Sequence, residues 1–210
     1  MKNKSKSSKG WLKEHFDDPY VKEARRLGYR SRACFKLIEI QEKDHLIRAG
    51  MSIVDLGAAP GGWSQLAAQW VGGKGLVIAS DILPMDALPG VEFIQGDFSS
   101  EQVYQVLQKR LGDKKIDLVI CDMAPNISGN SVVDQYQAMA LADLALDFAR
   151  EHLKPGGAFL IKLFQGKGVQ EFDQELRKSF SKLLIRKPKS SRARSREVYY
   201  LARDFKGDCV

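Results

Sequence analysis

Val54-Asp55-Leu56-Gly57-Ala58-Ala59-Pro60-Gly61-Gly62-Trp63 carries an apolar run into a glycine-rich turn and then into a helical pattern. Residues 52–56 are short, apolar and closed by glycine, as a strand buried on both faces is. In an open α/β sheet, nucleotide-like ligands bind at the turn leaving such a strand. Glycines there let the backbone approach a ligand closely. The spacing is not G-x-G-x-x-G, so a pyrophosphate cradle is not the natural reading.

Outward from this stretch the pattern repeats. Residues 75–80, 91–95, 116–121 and 158–164 read as further buried strands, with helices expected over 63–71, 101–111 and 133–153 between them. Strand and helix in alternation imply right-handed crossovers and a parallel sheet with helices on both faces. The end differs: a helix near 169–180 is followed by two strands, 182–187 and 198–202, that pair as an antiparallel edge. Upstream, Asp17-Asp18-Pro19 starts a helix that Gly28 stops. A second begins at Ser31 and runs to Asp44, with Cys34, Leu37, Ile38 and Gln41 as its mostly apolar stripe and Lys36 off it.

Composition bounds the rest. At 210 residues, with 44% hydrophobic and 28% charged residues, the chain is an ordinary globular protein with room for one substantial core. No apolar run is long enough to span a bilayer, and no hydrophobic segment follows the Lys/Ser start to make it a signal peptide. Three cysteines, Cys34, Cys121 and Cys209, have neither disulfide-framework nor zinc spacing, so a reducing, cytoplasmic compartment and no metal are expected. Lys plus Arg outnumber Asp plus Glu by 33 to 26, giving a net charge of +7 that suits a polyanionic partner. The charge is concentrated. Lys2, Lys4, Lys6 and Lys9 punctuate the start, and Arg186, Lys187, Lys189, Arg192, Arg194 and Arg196 fall in one stretch without an acid. Arg and Lys interleaved with Ser offer forked donors and hydroxyls that suit backbone phosphates.

Two acids answer the glycine-rich turn. Asp81 ends the second strand, where a carboxylate can accept both hydroxyls of a ribose, and Asp97 ends the third, where it can reach an adenine amino group. Either alone is as readily a strand-end cap; together with the turn they favour S-adenosylmethionine over NAD. Asp122 ends the fourth strand, Lys162 lies within the fifth and Glu197 begins the last. A lysine inside an apolar strand is costly unless its amino group is paired or neutral, which makes Lys162 the most informative residue of the chain.

The blocks Arg30-Ser31-Arg32-Ala33-Cys34-Phe35-Lys36-Leu37, 57–63, 122–126, the strand bearing Lys162 and 190–199 resemble the FtsJ/RrmJ (RlmE) family of RNA 2′-O-ribose methyltransferases. The resemblance extends from about Trp11 to Ala202 and is narrowest to the bacterial heat-shock branch, which acts on a uridine of large-subunit (23S) rRNA. It implies a Rossmann-like α/β S-adenosylmethionine-dependent methyltransferase fold with a mostly parallel seven-stranded sheet. It also implies a catalytic tetrad of Lys36, Asp122, Lys162 and Glu197, with Lys162 as proton acceptor. Cofactor contacts fall on Gly61, Trp63, Asp81, Asp97 and Asp122. Cys34 departs from the family, which has an aromatic residue there. RNA contacts are expected from Arg30, Arg32, Arg192, Arg194 and Arg196. The expected layout is a basic tail over 1–10, one methyltransferase domain over 11–203 and a C-terminal tail over 204–210. The expected protein is a monomer acting on large-subunit rRNA or the 50S subunit, without a membrane.

The chemistry can be argued apart from the family. Methylation of a ribose hydroxyl is an in-line displacement in which the protein must align the oxygen and manage its proton. An ammonium group favours the developing alkoxide, and a neutral lysine can accept the proton. Lys36 and desolvation favour a neutral Lys162, Asp122 and Glu197 a charged one; the residues leave that balance open. Other chemistries fit less well. Met123-Ala124-Pro125-Asn126 lacks the ring that a base-amino methyltransferase uses, and Cys121, one residue from Asp122, faces away as a packing residue rather than a C5 nucleophile. A small-molecule methyltransferase, a 2′-O-methyltransferase of another RNA and a catalytically inactive RNA-binding assembly factor remain as alternatives.

Overall fold

A computed structural model describes residues 17–207. The predicted tail over 1–10 and Cys209 lie outside the described residues. Helices α1 (Pro19–Arg26) and α2 (Cys34–Asp44) lead into strand β1 (Ser52–Leu56) and helix α3 (Gly62–Val71). Then come β2 (Leu76–Asp81), β3 (Glu92–Gln95), α4 (Glu101–Leu111), β4 (Ile116–Cys121) and α5 (Ser131–His152). The chain continues with β5 (Leu153–Phe164), α6 (Val169–Ser179), β6 (Phe180–Arg186) and β7 (Glu197–Phe205).

The seven strands form one sheet in the order β3-β2-β1-β4-β5-β7-β6. Pairs from β3 to β5 are parallel, and β7 runs antiparallel to both β5 and β6. The expected antiparallel edge therefore takes a specific form: β7 alone is reversed, inserted between β5 and the edge strand β6. Strand alternation divides the core. On one face Val54, Leu56, Val119 and Phe159 pack against Leu107 of α4, Phe148 of α5 and Phe172 of α6. On the other, Ile53, Ile120, Leu160 and Tyr199 pack against Leu37 and Ile40 of α2 and Trp63 and Leu66 of α3. In α2 the buried face is thus Cys34, Leu37 and Ile40; Ile38 and Gln41 are only half-buried, because the helix turns its 34, 37, 40 ridge to the sheet.

Helix starts follow their caps. Asp18 accepts from Tyr20 N at 2.9 Å ahead of Pro19, and Asn130 accepts from Val132 N at 3.1 Å. Three boundaries depart from expectation: α2 begins at Cys34 rather than Ser31, β7 runs past 202 to Phe205 and so into the expected C-terminal tail, and β5 moves furthest. β5 begins at Leu153, five residues before the predicted start, because Leu153 pairs with Ile116 before Lys154-Pro155-Gly156-Gly157 shift the register to Leu118 opposite Ala158. Among the described residues no helix is long and apolar enough to cross a membrane, and no group of His, Cys, Asp or Glu is placed to hold a metal.

Candidate active site

The loops leaving β1, β2, β3 and β4 at the carboxyl edge of the sheet enclose a cavity of about 650 Å³. Gly57, Asp81, Asp97, Asp122, Met123 and Leu141 are among its walls. Gly57 has φ +78°, and a Cβ there would lie 2.5 Å from Met123 Cγ and 2.8 Å from its Cα. Only glycine lets the turn after β1 and the loop after β4 approach so closely. Asp81 ties two of these loops together: Oδ2 accepts from Ala59 N and Oδ1 from Leu83 N, each at 2.8 Å. Asp97 Oδ1 accepts from Ser99 Oγ at 2.7 Å and Ser99 N at 2.9 Å, which holds its carboxyl below the usual range. At the mouth, Ile82 and Leu83 are 59% and 60% exposed and Leu144 is 40% exposed.

Gly61 and Trp63 stand behind this wall rather than on it. Trp63 is buried, its indole N–H donates to Ala33 O at 2.8 Å, and its ring packs 5.6 Å from that of Tyr199. Gly61, at φ +100°, abuts Met85 and Leu88 of the loop after β2. Beneath the turn, the fully buried Asp55 accepts from Ser64 Oγ at 2.5 Å through Oδ2, while Oδ1 has no hydrogen-bond partner. Burial pushes its carboxyl up to about 7, with the Ser64 bond opposing and the Asp122 and Asp81 charges adding.

The four tetrad residues come from four elements and meet beside the cavity. Lys162 Nζ donates to Asp122 O at 2.6 Å and contacts Asp122 Oδ1 at 2.9 Å. Lys36 Nζ, from α2, lies 2.7 Å from Glu197 Oε1 at the start of β7. Sheet register brings them together: Lys162 pairs with Tyr199 and Phe164 with Glu197 across the β5–β7 ladder. Lys162, Phe164, Glu197 and Tyr199 therefore project from one face. Tyr199 joins the group, since its hydroxyl donates to Asp122 Oδ1 at 2.8 Å and Lys36 Nζ sits 5.6 Å from its ring centroid. Burial raises the Tyr199 phenol well above its ordinary value, and the Asp122 and Glu197 charges reinforce this, so it stays a donor. Burial alone would raise Asp122, but the Lys162 and Lys36 charges, with hydrogen bonds from Lys162 and Tyr199, hold its carboxyl below the usual range. Glu197 behaves likewise, with burial outweighed chiefly by Lys36. The tetrad is two lysine–carboxylate pairs, with Asp122 shared between it and the cavity.

A second groove of about 450 Å³ opens on the other side of the Lys36–Glu197 pair, lined by Arg32, Ala33, Lys36, Arg192, Arg194, Ser195 and Glu197. Three of the five arginines expected to meet RNA thus lie there. Arg32 also pairs with Asp18 and donates to Ser190 O. Arg196 is exposed outside the groove. Arg30 is elsewhere: its guanidinium donates to the carbonyls of Pro60, Asp86 and Ala87. Within the basic stretch, Arg186 is committed to Asp44 and Lys187 donates to Ser195 O and Glu197 O, so both shape the loop over 187–196. Cys121 faces the opposite core, and burial pushes its thiol up to about 12, as suits a packing residue.

Sequence reasoning missed Tyr199 and Asp55. Tyr199 stands two residues after Glu197 and so shares its strand face, which is the signal that could have found it.

The chain is similar to proteins already known. A Pseudomonas aeruginosa protein named ribosomal RNA large subunit methyltransferase E is 58% identical over 205 residues, covering 98% of this chain and 99% of its own. One of the same name from Alcanivorax borkumensis is 59% identical over 199 residues, covering 95% and 96%. Among solved structures, a Plasmodium falciparum protein described as a ribosomal RNA methyltransferase superposes with a TM-score of 0.76 at 30% identity, over 86% of this chain and all of its own. The FtsJ-like methyltransferase family matches residues 29–205, which hold the cavity and all four tetrad residues, and the chain belongs to that family.

Proposed function

We propose that this chain is an S-adenosylmethionine-dependent methyltransferase of the 2′-hydroxyl of a uridine in large-subunit (23S) rRNA, acting on the assembled 50S subunit. The observation that carries the reading is the double contact of Lys162 with Asp122, 2.6 Å to its carbonyl and 2.9 Å to its carboxylate, at a residue that also lines the cavity. Lys162 is thereby tied to a residue of the cavity wall, beside the Lys36–Glu197 pair that lines the basic groove. The large-subunit rRNA relatives support the choice of RNA.

The cavity residues suit that cofactor. Asp81 and Asp97 retain lone pairs beyond the bonds they accept from the loops, for ribose hydroxyls and an adenine amino group. Ile82, Leu83 and Leu144 offer apolar surface to a purine ring. Bound there, S-adenosylmethionine supplies an electrophilic methyl group.

The chain's own residues manage the oxygen. Two positions of the tetrahedral Lys162 Nζ are spent on Asp122, which leaves one for the substrate hydroxyl. As a free amine that position accepts the hydroxyl proton; as an ammonium it donates to the developing alkoxide. Asp122, ionised and fixed by Tyr199, keeps Nζ oriented beside the cavity. Lys36, paired with Glu197, places positive charge where the groove meets the tetrad.

Lys162→Ala is expected to lower single-turnover methylation by about a hundredfold to ten-thousandfold while cofactor binding stays normal. Near-wild-type turnover would sink the assignment. For the substrate, 50S subunits from cells lacking this protein are incubated with labelled S-adenosylmethionine and the product nucleotide is mapped. A 2′-O-methyluridine in 23S rRNA is expected. Label on a base or on protein overturns the reading, as does salt-sensitive RNA binding without label, which marks an assembly factor.

A further inference from the structure

We infer that Arg30 is a positioning residue for the cofactor cavity: its guanidinium clasps the loop over 82–91 against the turn after β1 and so fixes one wall of the site. The inference rests on the cofactor reading above. That loop joins β2 to β3, and its first two residues, Ile82 and Leu83, are the part that reaches the cavity. Most of it is exposed, with Met85, Leu88 and Val91 only half-buried. Asp81 and Gln95 hold only its first two residues, through Leu83 N and Ile82 O, and the backbone bond from Val91 N to Leu88 O is local to its far end. A segment with so little buried apolar contact opens easily unless it is fastened.

Arg30 fastens the middle of the loop. Nη1 donates to Asp86 O at 2.7 Å and Pro60 O at 3.2 Å, and Nη2 donates to Ala87 O at 2.8 Å. One planar fork thus joins two loop carbonyls to one carbonyl of the turn, a match that a lysine ammonium on its flexible stem does not reproduce. The packing at this point leaves no slack. A Cβ on Gly61 would lie 2.6 Å from Met85 Sδ, 2.9 Å from Leu88 Cδ1 and 3.1 Å from Arg30 Nη1. Arg30 is itself anchored, its N–H donating to Gln65 Oε1, while Gln65 Nε2 donates to Gly28 O. Two residues further on, Arg32 lines the basic groove, and six further on Lys36 enters the tetrad. The segment over 30–36 therefore joins the cofactor wall to the substrate side, with Arg30 at the cofactor end.

The test compares the full-length wild type with Arg30→Met and Arg30→Lys by calorimetric titration of S-adenosylmethionine, filter binding of 23S rRNA and single-turnover rate. Arg30→Met is expected to weaken cofactor binding about tenfold or more, because the loop must be ordered on binding, with RNA affinity and the rate at saturating cofactor within about twofold. Arg30→Lys is expected to recover less than half of that loss on a logarithmic scale. Amide hydrogen exchange over 82–91 is expected to quicken in Arg30→Met and slow again with cofactor, at unchanged exchange in β1 and β4. Unaltered cofactor affinity in Arg30→Met overturns the inference, and a matching loss of RNA affinity would return Arg30 to the RNA surface. Full rescue by lysine overturns the fork. If Arg30→Met does not fold, Arg30→Lys decides alone by the same two affinities. Wild type that binds no S-adenosylmethionine would defeat the functional reading instead, and exchange over 82–91 would still test the clasp.

Discussion

Tyr199 lies directly across the β5–β7 ladder from Lys162 and bonds the same carboxylate. Removing its hydroxyl while keeping the ring, Tyr199→Phe, frees Asp122 Oδ1 from one donor without opening the core. The single-turnover rate is expected to fall about fivefold, the effect of one hydrogen bond near 1 kcal/mol, with cofactor affinity unchanged. Asp55 makes a different prediction. Its folded carboxyl, raised to about 7, favours the protonated form, so its contribution to stability is full below the unfolded carboxyl range and is lost as pH rises through about 7. Asp55→Asn is expected to remove that decline, and thermal melts of the two proteins between about pH 5 and 8 check it. Asp122 and Glu197 carry the opposite sign. Their depressed carboxyls stabilise above the unfolded range and lose that contribution on acidification through the folded values. Lys162 was legible because lysine within an apolar strand demands an explanation, whereas tyrosine in a strand reads as core, which Tyr199 also is. Asp55 was hidden by its place inside the very motif that marks the turn.

Helix α2 and strands β6 and β7 hold the substrate side together through ion pairs of unequal purpose. Lys36–Glu197 spans α2 and β7 at the site, while Arg186 grips Asp44 with two bonds of 2.8 and 2.6 Å, joining β6 to the end of α2. Arg203 adds a bond to Asp44 O. Asp44 is nearly buried, so Asp44→Ala leaves Arg186 without its carboxylate and is expected to destabilise the protein by about 3 kcal/mol in denaturant melts, with the cofactor cavity intact. At this scale the sequence exposes the parallel half of the sheet well, because buried parallel strands are continuous apolar runs. Residues 52–56 and 116–121 are strands as predicted. It exposes β5 less well. Pro155-Gly156-Gly157 reads as a turn, and only pairing of Leu153 with Ile116 makes the strand start there. Insertion of β7 between β5 and β6 is equally hidden, since local pattern shows two strands and not which of them lies inside.

Charge belongs to the whole molecule. A net +7, with Arg32, Arg192, Arg194 and Lys36 around one groove, predicts RNA affinity that falls steeply with salt. Arg192→Ala and Arg194→Ala are each expected to lower the slope of log affinity against log salt by about one, in filter binding across a salt series. An unchanged slope in both would place the RNA elsewhere. Net charge suited a polyanionic partner without identifying one, and the groove could not be read from it: Arg30 and Arg186, basic by sequence, are spent inside the protein on carbonyls and on Asp44. The mouth of the cofactor cavity has a thermodynamic consequence as well. Ile82 and Leu83 stand largely in water there and Leu144 partly so, and a ligand that covers them removes hydrated apolar surface, so association carries a negative heat-capacity change. Binding enthalpy measured at several temperatures should grow more exothermic on warming, with a slope that shrinks when Ile82 and Leu83 are replaced by serine.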